Sequence, residues 1–310
     1  MTSSSSEFDL IAKYFAPLAA SPGAFGLKDD AAVIAPRAGH DLVVTTDTIV
    51  AGVDFFNDDP PATIARKALR VNLSDLAAKG AEPFAYLLTL SLPKVDEEWL
   101  AEFARGLALD QKTFGLSLLG GDMSATPGPL SIAITAFGHV PEGKMIRRAG
   151  AVPGDGVFVT GTIGDGGGGL AAREGVLLER YLVPEPPVAF GPPLRGLASA
   201  AIDVSDGLLA DLGHVAQASG VRIAVEAQSI PRSDALRALW GDTTGAIVRA
   251  ATCGDDYQIA FTAPLAKEAA LAGAGVRVTR IGTVARGSGA VLLDAQGREI
   301  AVPRKGFAHF

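Results

Sequence analysis

Hydrophobic positions divide the chain into short β-branched runs and longer stretches whose apolar residues recur every three to four positions. "DLVVTTDTIV" (41–50) is rich in Val, Ile and Thr and predicts a strand. In "PPATIARKALRVNLSDLAAKGA" (60–81) the stripe Ala65, Leu69, Leu73, Leu76 has helical spacing, with prolines at the entry and Gly80 at the exit. "FAYLLTLSLP" predicts a strand, "DEEWLAEFARGLALDQKTFG" a helix opened by acids, and "LSIAITAFGHV" another strand. The start reads as a polar tail and then a helix, with Ser6 as N-cap and Phe8, Ile11, Phe15 and Leu18 on one face.

"RRAGAVPGD" (147–155) is rich in Gly and Pro, carries little periodicity and predicts the junction between two halves, 1–146 and 147–310. Beyond it, "GVFVTG" predicts a strand, "DGGGGLAAREG" opens a helix, and "AAIDVSDGLLADLGHVAQASG" reads as strand, acid loop and helix. Sequential α and β elements with Gly- and Pro-rich joins imply α+β or mixed α/β domains. A length of 310 residues fits two domains sharing an interface.

Charge and composition narrow the function classes. A net charge of −7 argues against nucleic acid and anionic membrane as partners. No apolar run approaches the ~20 residues that span a bilayer. The start lacks a signal-peptide pattern, so a cytoplasmic setting is expected. One cysteine, Cys253, leaves no disulfide framework and no thiolate zinc site. The four histidines (His40, His139, His214, His309) show no metal-ligand spacing.

Chemistry concentrates in the acids. "LKDDAAVI" sets Asp29 and Asp30 before a short apolar strand, and "TTDTIVAGVDFF" sets Asp47 inside a strand. "NLSDLAAKG" places Asp75 beside a buried helical stripe, with Asn72 one turn earlier. "LLGGDMSA" ends a strand in Gly-Gly-Asp at 120–122, and "IDVSDG" adds Asp203 and Asp206. Turn or cap roles would account for Asp29, Asp30, Asp122 and Asp206 one at a time. Asp47 and Asp75 fit such roles least, because a carboxylate in a strand or on an inner helix flank costs several kcal/mol unless paired or metal-bound. Oxygen-rich, sulfur-free sets suit Mg²⁺, which would also bridge an acidic protein to an acidic nucleotide. Thr45, Thr46 and Ser205 add neutral oxygens. The glycine-rich "TGTIGDGGGGL" (160–170) has no Walker A ending and reads equally as a phosphate turn or as a tightly packed turn. Arg147 and Arg148 offer a phosphate clamp or a solvated surface.

"DDAAV", "TTDTIVAGVDF", "NLSDLAAKGAEP", "GGDMS", "RRAGAVPGD", "IDVSDGLLADLGH", "GDDYQI" and the terminal "GFAHF" occur in one order over nearly the whole chain. In that order they resemble the thiamine-monophosphate kinase family, within the superfamily of aminoimidazole ribonucleotide synthetase and selenophosphate synthetase. The resemblance implies a two-domain α+β homodimer: an N-terminal mixed α/β domain that binds metal and ATP and forms the dimer sheet or barrel, and a C-terminal α+β domain completing the active site. It implies transfer of the γ-phosphate of ATP to thiamine monophosphate, assisted by several Mg²⁺ ions and without a covalent nucleophile. Metal ligands would be Asp30, Asp47, Asp75, Asp122, Asp203 and Asp206, aided by Thr45 and Thr46. Gly121, Asp122, Arg148 and Ser205 would meet ATP, while Asp54, Asp255 and Phe307 would face the acceptor. The chain departs from the family's usual pattern at Lys28, at Asp54 (commonly His) and in "GDDYQ" (commonly "GEDYE"). The alternatives are another ATP-using enzyme of the superfamily, a non-catalytic nucleotide-binding paralogue, and a Mg²⁺-dependent phosphohydrolase. The lone Cys253 disfavours selenophosphate synthetase, which needs a reactive Cys or selenocysteine near its start.

Overall fold

A computed structural model describes residues 6–273 and 275–308. The polar tail 1–5 and the final His309 and Phe310 of the "GFAHF" motif lie outside the described residues. The chain forms two compact units, Met1–Leu76 with Glu82–Glu142, and Ala77–Ala81 with Gly143–Phe310.

The first unit begins with α1 (Glu7–Leu10), where Ser6 and Asp9 form a reciprocal capping box. The chain continues through a π-helical turn (Ile11–Phe15) and a 3-10 turn (Ala16–Leu18). The wider π-turn breaks the single expected stripe: Leu10, Phe15 and Leu18 are buried, whereas Phe8 is 79% exposed. The strand expected after Asp30 does not form; residues 31–37 are irregular, and Val33 N–H bonds the Gly23 carbonyl.

Then follow β1 (His40–Val50), α2 (Pro61–Ala78), β2 (Glu82–Leu92), α3 (Glu97–Phe114), β3 (Ser117–Ala125) and β4 (Ser131–Pro141). The strands form one mixed sheet, ordered β1-β4-β2-β3, with β2 and β3 parallel across the α3 crossover. "GGD" does not end its strand. Gly121 and Asp122 pair with Leu88 and Thr89 inside β3, because the parallel ladder runs on to Ala125. A Cβ at Gly121 would come within 1.8 Å of the Leu88 carbonyl oxygen, which explains the glycine.

Helices α2 and α3 cover one face of this sheet. Thr45 on β1 bonds Asp75 on α2, and Gln111 on α3 bonds the Tyr86 hydroxyl on β2. The helices are joined by a buried Arg70–Asp110 pair and by close approach of Gly106 to Ala62. On the opposite face, Leu42 and Val44 are 46% and 53% exposed.

The second unit contains β5 (Asp155–Thr160), α4 (Asp165–Ala172), α5 (Gly175–Leu182), α6 (Gly191–Leu194), β6 (Ala200–Asp203), α7 (Leu208–Ser219), β7 (Arg222–Glu226), α8 (Asp234–Trp240), α9 (Thr244–Thr252), β8 (Ile259–Pro264), α10 (Glu268–Ala272), β9 (Val278–Ala285), β10 (Gly289–Leu293) and β11 (Glu299–Ile300). Its seven-stranded sheet is ordered β11-β10-β7-β9-β5-β8-β6. Both faces of β5 are buried: Val157 and Val159 join the core around α7, while Phe158 stacks on Phe261. Burial on both sides is why "GVFV" is apolar throughout instead of alternating.

Candidate functional site

In the first unit, β1 alternation decides which motif residues meet. Thr45 and Asp47 point to the helix-covered face, and the Thr45 hydroxyl donates to Asp75 Oδ2 at 2.5 Å. Thr46 points to the other face, donating to the Ile134 carbonyl (3.1 Å) and accepting from Thr135. The structure therefore does not bring the Thr46 side chain to Thr45, Asp47 and Asp75.

Burial pushes the Asp47 carboxyl up to about 6, with the charges of Asp75 and Asp54 adding to the effect. Asp54 lies in the turn after β1, where its Oδ2 accepts the Val50 N–H at 2.8 Å. Buried Lys67 donates to the Asp54 carbonyl, also at 2.8 Å. One turn before Asp75, Asn72 is fully buried; its Nδ2 donates to Ala68 O, and its Oδ1 has no hydrogen-bond partner among the described residues. Crowded carboxylates, a spare buried carbonyl oxygen and no sulfur ligand suit a hard divalent cation such as Mg²⁺.

A second group lines a cavity of about 560 Å³ within the same unit. Asp30, Gly121 and Asp122 supply its polar wall, and Phe8, Ile11 and Leu27 are among its apolar residues. The chain reaches Asp30 through Phe25, Gly26 and Leu27, three successive residues with φ of 50°, 64° and 58°. This is a strained approach for two bulky side chains.

In the second unit, three motifs far apart in sequence are hydrogen-bonded together. Asp203 ends β6, and Ser205 and Asp206 form the turn into α7. The Ser205 carbonyl accepts from Asp255 N–H (2.8 Å), and the Asp206 carbonyl accepts from Phe307 N–H (2.8 Å). Val204 exchanges backbone bonds with Tyr257 and Gln258, both 2.7 Å. Asp255 and Tyr257 have φ of 61° and 49°, and the Tyr257 hydroxyl donates to Asp255 Oδ1 at 3.0 Å. Arg148 is exposed, but its segment is anchored: Arg147 O accepts from Ala201 N–H on β6, and Ser219 Oγ accepts from Gly150 and Ala151.

The glycine-rich turn is a packed turn. Asp256, buried, accepts from Gly164 N–H (2.8 and 2.9 Å) and Gly166 N–H (3.3 Å). A Cβ at Gly166 would sit 2.1 Å from Asp255 O, and one at Gly169 would sit 2.1 Å from Leu177 O. Burial holds the Asp256 carboxyl well above the usual carboxylate range, against the lowering effect of those N–H bonds. At the departure in "GDDYQ", Gln258 accepts from the Thr160 hydroxyl (2.9 Å) and donates to the Glu185 carbonyl (3.2 Å). A carboxylate could not make that second bond.

Asp211 and Asp256 were not among the expected residues. Asp211 Oδ2 accepts the N–H groups of Ser205, Asp206 and Gly207, while burial and the Asp206 charge push its carboxyl up to about 7. Asp206, Asp211 and His214 also offer ligand atoms within 4.8 Å of one another. The signal available for Asp211 was its place four residues after Gly207, which opens a helix without a capping side chain. Nothing in "GDD" distinguishes the buried acid from the half-exposed one.

Two family models match the chain: AIR synthase related protein, N-terminal domain, over residues 28–140, and its C-terminal domain over 152–294. The thiamine-monophosphate kinase of Caulobacter vibrioides is 45% identical over 320 aligned residues, covering 98% of this chain and 90% of that protein. The chain belongs to the thiamine-monophosphate kinase family. The crystal structure of the Stenotrophomonas maltophilia thiamine-monophosphate kinase matches with a TM-score of 0.82 and 41% identity, over 88% of this chain and 91% of that one. AaThiL, solved in complex with AMPPCP and TMP, matches with a TM-score of 0.79 and 30% identity, over 93% of this chain and 97% of that one. The fold is thus the two-domain α+β fold of AIR synthase related proteins.

Proposed function

We propose that this chain transfers the γ-phosphate of ATP directly to thiamine monophosphate, yielding thiamine diphosphate and ADP. One observation carries the reading: Thr45 on β1 is hydrogen-bonded to the motif acid Asp75 on α2, two positions from the motif acid Asp47 on the same strand, in a chain matching a thiamine-monophosphate kinase over 98% of its length. The Mg²⁺ ligands would be Asp30, Asp47, Asp75 and Asp122 in the first unit and Asp203 and Asp206 in the second. When bound, Mg²⁺ neutralises phosphate oxygens and orients them.

The chain's own residues bind and position. The first-unit cavity suits a nucleotide, with apolar Phe8, Ile11 and Leu27 against a base and Gly121 and Asp122 toward phosphates. Arg148 and Ser205 would contact ATP phosphates, and Asp54, Asp255 and Phe307 would face the acceptor. A phosphate oxygen of thiamine monophosphate attacks the γ-phosphorus as ADP leaves, so no protein nucleophile is needed. The exposed sheet face around Leu42 and Val44 would pair two copies as a homodimer. ATP as co-substrate and a lone cysteine support a cytoplasmic setting. Among the described residues no helix is long and apolar enough to cross a membrane.

The test is a product assay with ATP, Mg²⁺ and thiamine monophosphate, with free thiamine and no acceptor as controls. Thiamine diphosphate should form only with the monophosphate. Phosphate release without acceptor, at the same rate, would instead support a phosphohydrolase.

A further inference from the structure

The turn carrying Ser205 and Asp206 is held by an acid outside it. Asp211, in the first turn of α7, is buried, and its Oδ2 accepts backbone N–H groups from Ser205 (3.1 Å), Asp206 (3.2 Å) and Gly207 (3.1 Å). All three donors precede Leu208, the first residue of the helix. An ordinary cap would serve the helix's own first amides. This carboxylate serves the loop instead.

The loop's carbonyls are also taken, Ser205 O by Asp255 N–H and Asp206 O by Phe307 N–H. Gly207 adopts φ 126°, so the peptides turn to aim three amides at one oxygen. Three successive peptides bonded to one buried oxygen leave residues 205–207 little freedom. The direction of the Ser205 and Asp206 side chains from the end of β6 is thereby set.

We propose that Asp211 is a positioning residue that orients Asp206 and Ser205 for phosphoryl transfer. The proposal rests on the phosphotransfer reading above. It differs from a plain stabilising role by its effect on cation affinity, because partners that orient metal ligands typically cost ~10–100-fold in affinity or activity when lost.

Asp211→Asn and Asp211→Ala should raise the half-saturating Mg²⁺ concentration for thiamine diphosphate formation by at least ~10-fold. The Asn variant, which keeps a carbonyl acceptor, should suffer less than the Ala variant. Mn²⁺ binding followed by electron paramagnetic resonance should weaken in the same order. Amide exchange at 205–207 should quicken while Val215–Ser219 keeps its protection. If Asp211→Ala does not fold, Asp211→Asn decides alone, since it preserves shape. A lower melting temperature with unchanged Mg²⁺ and Mn²⁺ dependence would make Asp211 a stabilising acid only and overturn the proposal. Asp206→Asn, run in parallel, should also raise the Mg²⁺ requirement. If it leaves that requirement unmoved, the ligand assignment of Asp206 fails and the proposal falls with its premise.

Discussion

Asp47 sits on the helix-covered face of β1, and its carboxyl is pushed up to about 6 by burial and by the charges of Asp75 and Asp54. Its ordinary value is about 4, so the folded protein holds this proton more tightly than the unfolded chain does. That stabilisation is complete below about pH 4 and is lost as pH rises through about 6. Asp211, pushed up to about 7, has the same sign and extends the window upward. Chelator-treated protein should therefore melt at falling temperature from about pH 4 to about pH 7. Asp47→Asn should flatten the slope, and thermal scans across that range check it. An unaltered slope would show that Asp47 does not titrate there. In turnover, Asp47→Asn and Asp75→Asn should each cost at least ~100-fold, since each removes charge from a proposed ligand group. Near-full activity of either at saturating Mg²⁺ would return that acid to a structural role. Asp54→Asn keeps an acceptor for the Val50 N–H while removing the charge. It should lower the KM for thiamine monophosphate and leave that for ATP in place. Unchanged constants would mean the side chain serves only its turn. Asp47 and Asp75 were legible as misfits to plain structural roles. Asp211 left only its place four residues after an uncapped Gly207, and Asp256 left no signal, because its bonds go to amides about 90 residues away.

The elements themselves were mostly legible, and the exceptions have local causes. β1, α2, α3 and β4 follow from periodicity, and Gly80 (φ 70°) follows α2 as expected. The N-terminal helix loses its stripe to a π-turn, and "GGD" stays inside β3 because β2 supplies a ladder beyond the glycines. The glycine-rich turn allowed two readings, and packing separates them. Gly169→Ala should destabilise the fold by ~1–3 kcal/mol through overpacking against Leu177, with the KM for ATP of the folded fraction unchanged. A raised KM for ATP at undiminished stability would restore the phosphate-binding role.

For the whole molecule, direct transfer requires that the protein never carry the phosphoryl group. Incubation with γ-labelled ATP should leave no acid-stable or hydroxylamine-sensitive label on the chain. Stoichiometric labelling would overturn direct transfer. Assembly makes a second test. Val44 is 53% exposed on β1, on the face proposed to pair two copies, so Val44→Glu should convert the proposed dimer to a monomer in light scattering. A wild-type protein that is already monomeric would remove that face from the assembly.

The sequence by itself determined the class of chemistry and most elements. Repeated acids without sulfur ligands, a helical stripe and β-branched runs are local properties, written in residue type and spacing. The order of motifs carried the family. Only the tertiary structure decided which residues meet. It put Thr45 and Thr46 on opposite faces of one strand, and it clamped Asp255 and Phe307 onto the Asp206 turn through backbone bonds. It spent Asp256 on the glycine turn and Asp211 on the loop at the end of β6. Apart from Asp211, these outcomes depend on sheet register and on contacts between segments far apart in the chain, such as Ser205 with Asp255 and Asp206 with Phe307. Buried backbone amides must find acceptors wherever the fold offers them, and one sequence read in order does not show where that is.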